Sequence, residues 1–176
     1  MFELSEFASI EGKKYRVRTD YRVILEIFVM LNDPDLDDGD KTEALMQMFY
    51  EERPDNTEKA IQAFVDFIEP RKPSGSKGAS LVDWQTDFDL IAAAVNHVLG
   101  TECRALPYLH WHSFMGAYME ISPDSLFARV ISMRDKLKTG RKIEKWEWRW
   151  YQKNRELVDL PIRYSDNEKT LLEEWT

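Results

Sequence analysis

The stretch Thr19–Tyr50, TDYRVILEIFVMLNDPDLDDGDKTEALMQMFY, constrains the fold more than any other part of this chain. From Tyr21 to Leu31 only Arg22 and Glu26 carry charge, and they sit four residues apart. A helix that is apolar on nearly every side has to be buried. Asp20 is placed to cap it, and Asn32-Asp33-Pro34 ends it. A second, amphipathic helix is expected from about Asp40, with Glu43 in capping-box position and Leu45, Met48 and Phe49 as its inner stripe.

The remaining punctuation predicts more helices around the same kind of core. Phe7–Ile10 and Tyr15–Arg18 flank Glu11-Gly12-Lys13-Lys14 and read as a hairpin within residues 1–19, with Tyr15 and Val17 on one face. A third helix begins near Asp55 or Asn56 and runs to Glu69, with Ile61, Phe64, Val65 and Ile68 inward. Pro70–Ser80 is rich in Pro, Gly, Ser and Lys and reads as a mobile loop. Helix four covers about Asp83–Leu99, with Trp84, Phe88, Ile91, Val95 and Leu99 on one side and Gly100 as its stop. Helix five runs from Pro107 to Glu120 on a Trp111, Phe114, Met115, Tyr118 stripe. Helix six opens at Ser122-Pro123, buries Leu126, Val130, Met133 and Leu137, and breaks at Gly140. Helix seven covers about Lys142–Val158, and residues 165–176 form a frayed tail. The expectation is one mainly α domain over residues 1–176, a compact bundle of six to seven helices with a short N-terminal hairpin.

Composition narrows the function. Apolar residues make up 43% of the chain, so it can bury a core. Six Trp, seven Tyr and nine Phe leave rings to spare for a contact surface. Net charge is −8, but residues 1–70 hold 8 basic against 17 acidic groups and residues 71–176 hold 16 against 15. Bulk nucleic-acid binding is disfavoured, while a local basic contact remains open. With one cysteine, Cys103, there is no internal disulfide framework. The N-terminus does not read as a signal peptide, and no window approaches the roughly 18 apolar residues of a membrane span. The expectation is a soluble intracellular protein.

Chemistry-bearing patterns do not assemble. A calcium loop beginning at Asp33 needs glycine at its sixth position and glutamate at its twelfth, where Asp38 and Ala44 stand. Acidic residues there suit a helix start. His97, Cys103, His110 and His112 match no zinc spacing, and on a regular helix His110 and His112 point about 200° apart. There is no nucleophile elbow or phosphate loop. Asp83 and Asp87 are explained by helix-start chemistry. No cofactor, metal or catalytic activity is expected.

The surface candidate is helix seven. Trp146, Trp150 and Leu157 line one face with Ile143, and Trp148, Tyr151 and Arg155 line a second. Either both faces are buried, with Arg and Lys stems covering the rims, or one docks and the other, with Arg149 beside it, grips a protein or stacks on single-stranded bases. The candidate protein-binding residues are Trp146, Trp148, Arg149, Trp150, Tyr151 and Arg155.

Four blocks occur in an order that resembles the bacteriophage gene-product-fifteen family. They are TDYRVILEIFVMLNDPDL with Phe49-Tyr50, DWQTDFDLIAAAV from Asp83, YLHWHSF from Tyr108, and Ser132-Met133-Arg134 with Asp159-Leu160-Pro161. The likeness spans roughly residues 7 to 161. LGTECRA at Leu99–Ala105 departs from the aromatic-glycine-isoleucine-aspartate turn the family would place there. The resemblance implies a tail assembly chaperone of long-tailed phages, acting in the host cytoplasm without catalysis. Its implied partner is the tape-measure protein, with the major tail protein, a frameshifted longer partner and homo-oligomers as further possibilities. The alternatives are a phage regulatory or anti-host protein that binds a host complex, its acidic first half mimicking nucleic acid, and a weak single-stranded nucleic-acid binder acting through residues 141–158.

Overall fold

The computed structural model describes residues 3–69 and 81–168. The loop expected over residues 70–80 and most of the tail expected over 165–176 fall outside them. Within the described residues the protein is mainly helical, with one two-stranded antiparallel hairpin. The strands are β1 (Phe7–Ile10) and β2 (Lys13–Arg16). The helices are α1 (Tyr21–Leu31), α2 (Asp38–Phe49), α3 (Thr57–Ile68), α4 (Phe88–Leu99), α5 (Trp111–Met119), α6 (Leu126–Thr139), α7 (Lys145–Lys153) and α8 (Arg155–Val158), with a 3-10 turn at Cys103–Ala105. The chain divides into two compact units. One holds residues 1–73, 108–115 and 163–176, and the other holds 74–107 and 116–162.

The first unit is organised by the hairpin and α1. Glu11 and Gly12 both take positive φ, 50° and 83°, so the turn is a tight two-residue one and β2 starts at Lys13 rather than Tyr15. Tyr15 and Val17 are both buried. Beyond β2 the chain stays extended and is paired from two sides. Val17 bridges to Tyr50, and Asp20 bridges to His110. Arg18 closes this region by donating from Nη1 to the carbonyls of Gln47, Met48 and Tyr50, at 2.8, 3.1 and 2.8 Å. It thereby covers the carbonyl end of α2 with a cation. Asp20 caps α1 by accepting from Arg22 N–H, and its other oxygen accepts from the Leu109 N–H.

Several helix faces differ from the expected ones by about one position. α2 begins at Asp38 with Asp37 as its cap, two residues before Asp40, because the Asp37 carboxylate reaches the Asp40 N–H. Glu43 is therefore past the capping position and pairs with Arg53. Met46, not Met48, joins Leu45 and Phe49 inside. α3 buries Ala60, Phe64 and Phe67, leaving Ile61, Val65 and Ile68 at its margins. Phe49 is the hub, meeting Phe64 and Phe67 at 5.0 and 5.3 Å between ring centroids. Tyr50 donates to the Ala60 carbonyl, and burial pushes its phenol up to about 12.

α5 starts at Trp111, not Pro107, because residues 108–110 run as non-helical chain and pair with residues 19–21. Tyr21 N–H donates to Leu109 O, and Trp111 N–H donates to Thr19 O at 2.7 Å. This also corrects the geometry of the two histidines. His110 precedes the helix, so its ring lies 5.1 Å from that of His112 rather than on the opposite side. His110 Nδ1 accepts the His112 N–H, which fixes the proton on Nε2, facing Ser5 O at 3.2 Å. His112 Nε2 faces Phe67 O at 2.8 Å. Burial lowers the His110 pKa below its ordinary 6.5, and the neighbouring His112 lowers it further. Below pH 6.5 the unfolded chain then binds a proton that the folded chain refuses. Stability is full above that pH and falls as the pH drops through it. His110→Gln should flatten this part of the curve in urea melts run between pH 7.5 and 5.5. Equal slopes in the two proteins would remove His110 as its source.

In the second unit, α4 buries Ile91, Ala92 and Val95 and ends at Gly100 in the left-handed region, φ 68°. The segment that follows α4 is held by its own network. Glu102 accepts from Asn96 and Arg104, and Asn96 accepts from Cys103 N–H at 2.7 Å. The Arg104 contacts hold the Glu102 carboxyl down to about 2. α6 is capped by Ser125 and stopped by Gly140. It buries Phe127, Val130, Met133 and Arg134, while Leu126 and Leu137 are exposed. Trp84, expected within helix four, lies in a turn before α4, with its ring against Tyr118 at 5.3 Å.

Candidate functional site

The expected helix over Lys142–Val158 is two helices. α7 opens with a reciprocal capping box between Glu144 and Glu147 and ends at Asn154, after which α8 restarts. The break removes Leu157 from the register of Trp146 and Trp150, and Leu157 is 36% exposed. α7 docks through Tyr151, with Ile143 and Trp150 at the edge, onto Met133 and Val158. Neither anticipated face is the docking face, since each contributes one ring to it. Trp146 and Trp150 share one side and Trp148 stands on another, so rings lie on both and periodicity alone could not choose between them.

Each candidate residue now has a definite place. Trp146 and Trp148 are exposed, at 64% and 46%. Arg149 is exposed. Trp150 is half-buried, with the Arg129 guanidinium 5.7 Å above its ring. Tyr151 is buried and donates to Asp159 Oδ1 at 2.9 Å, which makes it a strut of the core rather than a contact residue. Arg155 pairs with that same Asp159 and lies over the Tyr151 ring. Trp148 rests against Tyr151, 5.2 Å between centroids. On α7 the exposed rings are therefore Trp146 and Trp148, with Arg149 beside them.

Of the two aspartates expected to serve the start of helix four, Asp83 accepts the Thr86 N–H just ahead of α4, and Asp87 makes no side-chain capping bond to the helix. Asp87 is 1% exposed and takes Arg134 end-on, with Nη1–Oδ2 at 2.6 Å and Nη2–Oδ1 at 2.8 Å. Arg134 also donates to the carbonyls of Leu81, Leu157 and Val158 at 2.9, 2.8 and 2.7 Å. All five guanidinium donors are thus used, which is what makes a buried arginine tolerable. The available signal was Arg134 standing four residues after Val130, inside the apolar stripe of α6. A pair so enclosed and satisfied offers no group to a substrate.

No group of three or more His, Cys, Asp or Glu among the described residues is arranged to hold a metal ion. The acidic turn before α2 is occupied with backbone capping: Asp33 accepts from Asp35 N–H and Asp37 from Asp40 N–H. Cys103 is fully buried. Among the described residues no helix is long and apolar enough to cross a membrane.

The profile of the Bacteriophage Gp15 protein family matches residues 3–160. The chain belongs to this family. No curated protein and no solved structure matches it. The structure explains what the family-like blocks of the sequence do. Thr19–Leu31, Phe49-Tyr50 and Tyr108–Phe114 meet in the first unit through the Arg18 cap, the Asp20–His110 bridge and the stacking of Tyr21 on Phe114 at 4.5 Å. Asp87, Arg134 and the chain just before Pro161 meet in the second unit at the buried ion pair. These blocks encode two folding nodes.

Proposed function

We propose that this phage protein is a non-enzymatic tail assembly chaperone that holds helical segments of the tape-measure protein through the outer side of α7. The observation that carries this reading is the exposure of Trp146 and Trp148 on a helix already docked by Tyr151. Large rings left in solvent beside cations are the residue types that anchor protein interfaces. Membership of the Gp15 family supports a phage role, and the tail-assembly role follows from the resemblance. A chaperone for long apolar helices needs a gripping surface and solubility of its own, which a net charge of −8 promotes.

Co-expression provides the test. Tape-measure fragments should stay in the soluble fraction with this protein and precipitate without it, and Trp146→Ala/Trp148→Ala should abolish the protection while leaving the helical circular dichroism signal intact. Fragments kept equally soluble by the double variant would discard α7 as the contact. Tyr151→Ala is unsuitable here, because it opens the core under α7.

A further inference from the structure

Residues 129–155 carry ten basic side chains and three acidic ones, and the fold decides which cations are left over. Asp135 is taken by Arg141, Glu144 by Lys142 and Glu147 by Lys136. Arg134 and Arg155 are answered from outside the stretch, by Asp87 and Asp159. Lys145, Arg149 and Lys153 are exposed and have no ion pair among the described residues. All three lie on α7, four residues apart, so they form a single row with neighbours about 6 Å apart along the axis. Like charges at that spacing weaken a helix. Glu147, the only acid within α7, is drawn to Lys136 and does not relieve the row. At about 100° per residue, Trp146 stands on one side of the row and Trp148 on the other.

Resting on the reading of α7 as the gripping face, we infer that this face selects an acidic amphipathic helix. Such a partner carries carboxylates at four-residue intervals along one edge, with leucine- or phenylalanine-sized side chains beside them. Carboxylates on a helix repeat at the same rise as the cation row, so the two rows match in register. The apolar side chains then cover a tryptophan and exclude water from the ion pairs, which strengthens them. A short acidic helix feels the row within a Debye length of about 8 Å. Single-stranded nucleic acid fits less well. Successive bases need rings in sequence along one side, and here the two exposed rings are on opposite flanks.

The test is fluorescence anisotropy with the full-length protein and two labelled synthetic helices of identical length and apolar pattern, one bearing glutamate and the other lysine at the flanking positions. The acidic helix should bind roughly tenfold tighter at low salt, with the difference shrinking at high salt. Lys145→Glu/Arg149→Glu should reverse the preference without loss of helical signal. Equal binding of the two peptides, tighter binding of an oligothymidine, or low-salt dimerisation of the protein that Arg149→Glu abolishes would each overturn the inference. The first of these leaves α7 as a gripping face intact. By contrast, unchanged binding of both peptides to Trp146→Ala/Trp148→Ala removes the face itself.

Discussion

Asp87→Ala is expected to lower the unfolding free energy of the second unit by about 3–5 kcal/mol, because it leaves a buried guanidinium without its counter-charge. The three carbonyls around Arg134 remain, but they supply partial charges only. Whatever the residual stability, a loss of this size is a large part of the 5–15 kcal/mol typical of a whole domain. The informative comparison is Asp87→Leu/Arg134→Met. Replacing both partners by apolar groups of similar volume removes the desolvation penalty together with the attraction, so this double variant should recover most of what the single variant loses. Urea unfolding followed by circular dichroism measures both. A double variant as unstable as Asp87→Ala would mean that the carbonyls of Leu81, Leu157 and Val158, rather than the charge pair, depend on Arg134. A single variant within about 0.5 kcal/mol of the parent, the range of ordinary surface changes, would refute the burial of the pair.

Trp111→Ala should cost the first unit about 3–5 kcal/mol, the usual range for deleting a large buried aromatic. Trp111 is 1% exposed. Its ring meets Phe28 edge-on at 5.6 Å and lies near Phe114 at 6.0 Å, and its Nε1 donates to Ile68 O at 3.3 Å. The alanine variant therefore leaves a cavity and removes the donor to Ile68 O at once. Trp111→Phe keeps much of the ring and loses the donor, and about 1–2 kcal/mol is expected. Chemical denaturation with a fixed m-value separates the two. If phenylalanine costs as much as alanine, the hydrogen bond to Ile68 dominates, and the packing argument is wrong.

Local signals made much of the fold readable. Asp20, Gly100 and Gly140 each act through hydrogen bonds or backbone conformations within a few residues and bound the helices expected of them, and of the two starts open to α3 the cap is Asn56. The hairpin was equally legible, because Tyr15 and Val17 alternate with charged neighbours. The candidate site was legible as a stretch but not as a surface. That a tryptophan-rich basic helix exists near residue 146 follows from the residues. That Trp146 and Trp148 are outside while Tyr151 is inside does not, because all three ring directions are equally apolar.

What the chain determined by itself is where helices start and stop, since caps, prolines and left-handed glycines answer to neighbours in sequence. The tertiary structure decided which side of each helix is covered. It turned Arg134 inward, because Asp87, 47 positions earlier, and Leu81, 53 positions earlier, supply the acceptors. It brought His110 beside His112, because Thr19 and Asp20 draw the preceding residues into extended pairing. Among the described residues it also left Lys145, Arg149 and Lys153 without ion pairs, while Asp135, Glu144 and Glu147 pair with Arg141, Lys142 and Lys136. In each case the deciding partner comes from another element or from the competition for a shared carboxylate, and no reading confined to one helix contains that contact.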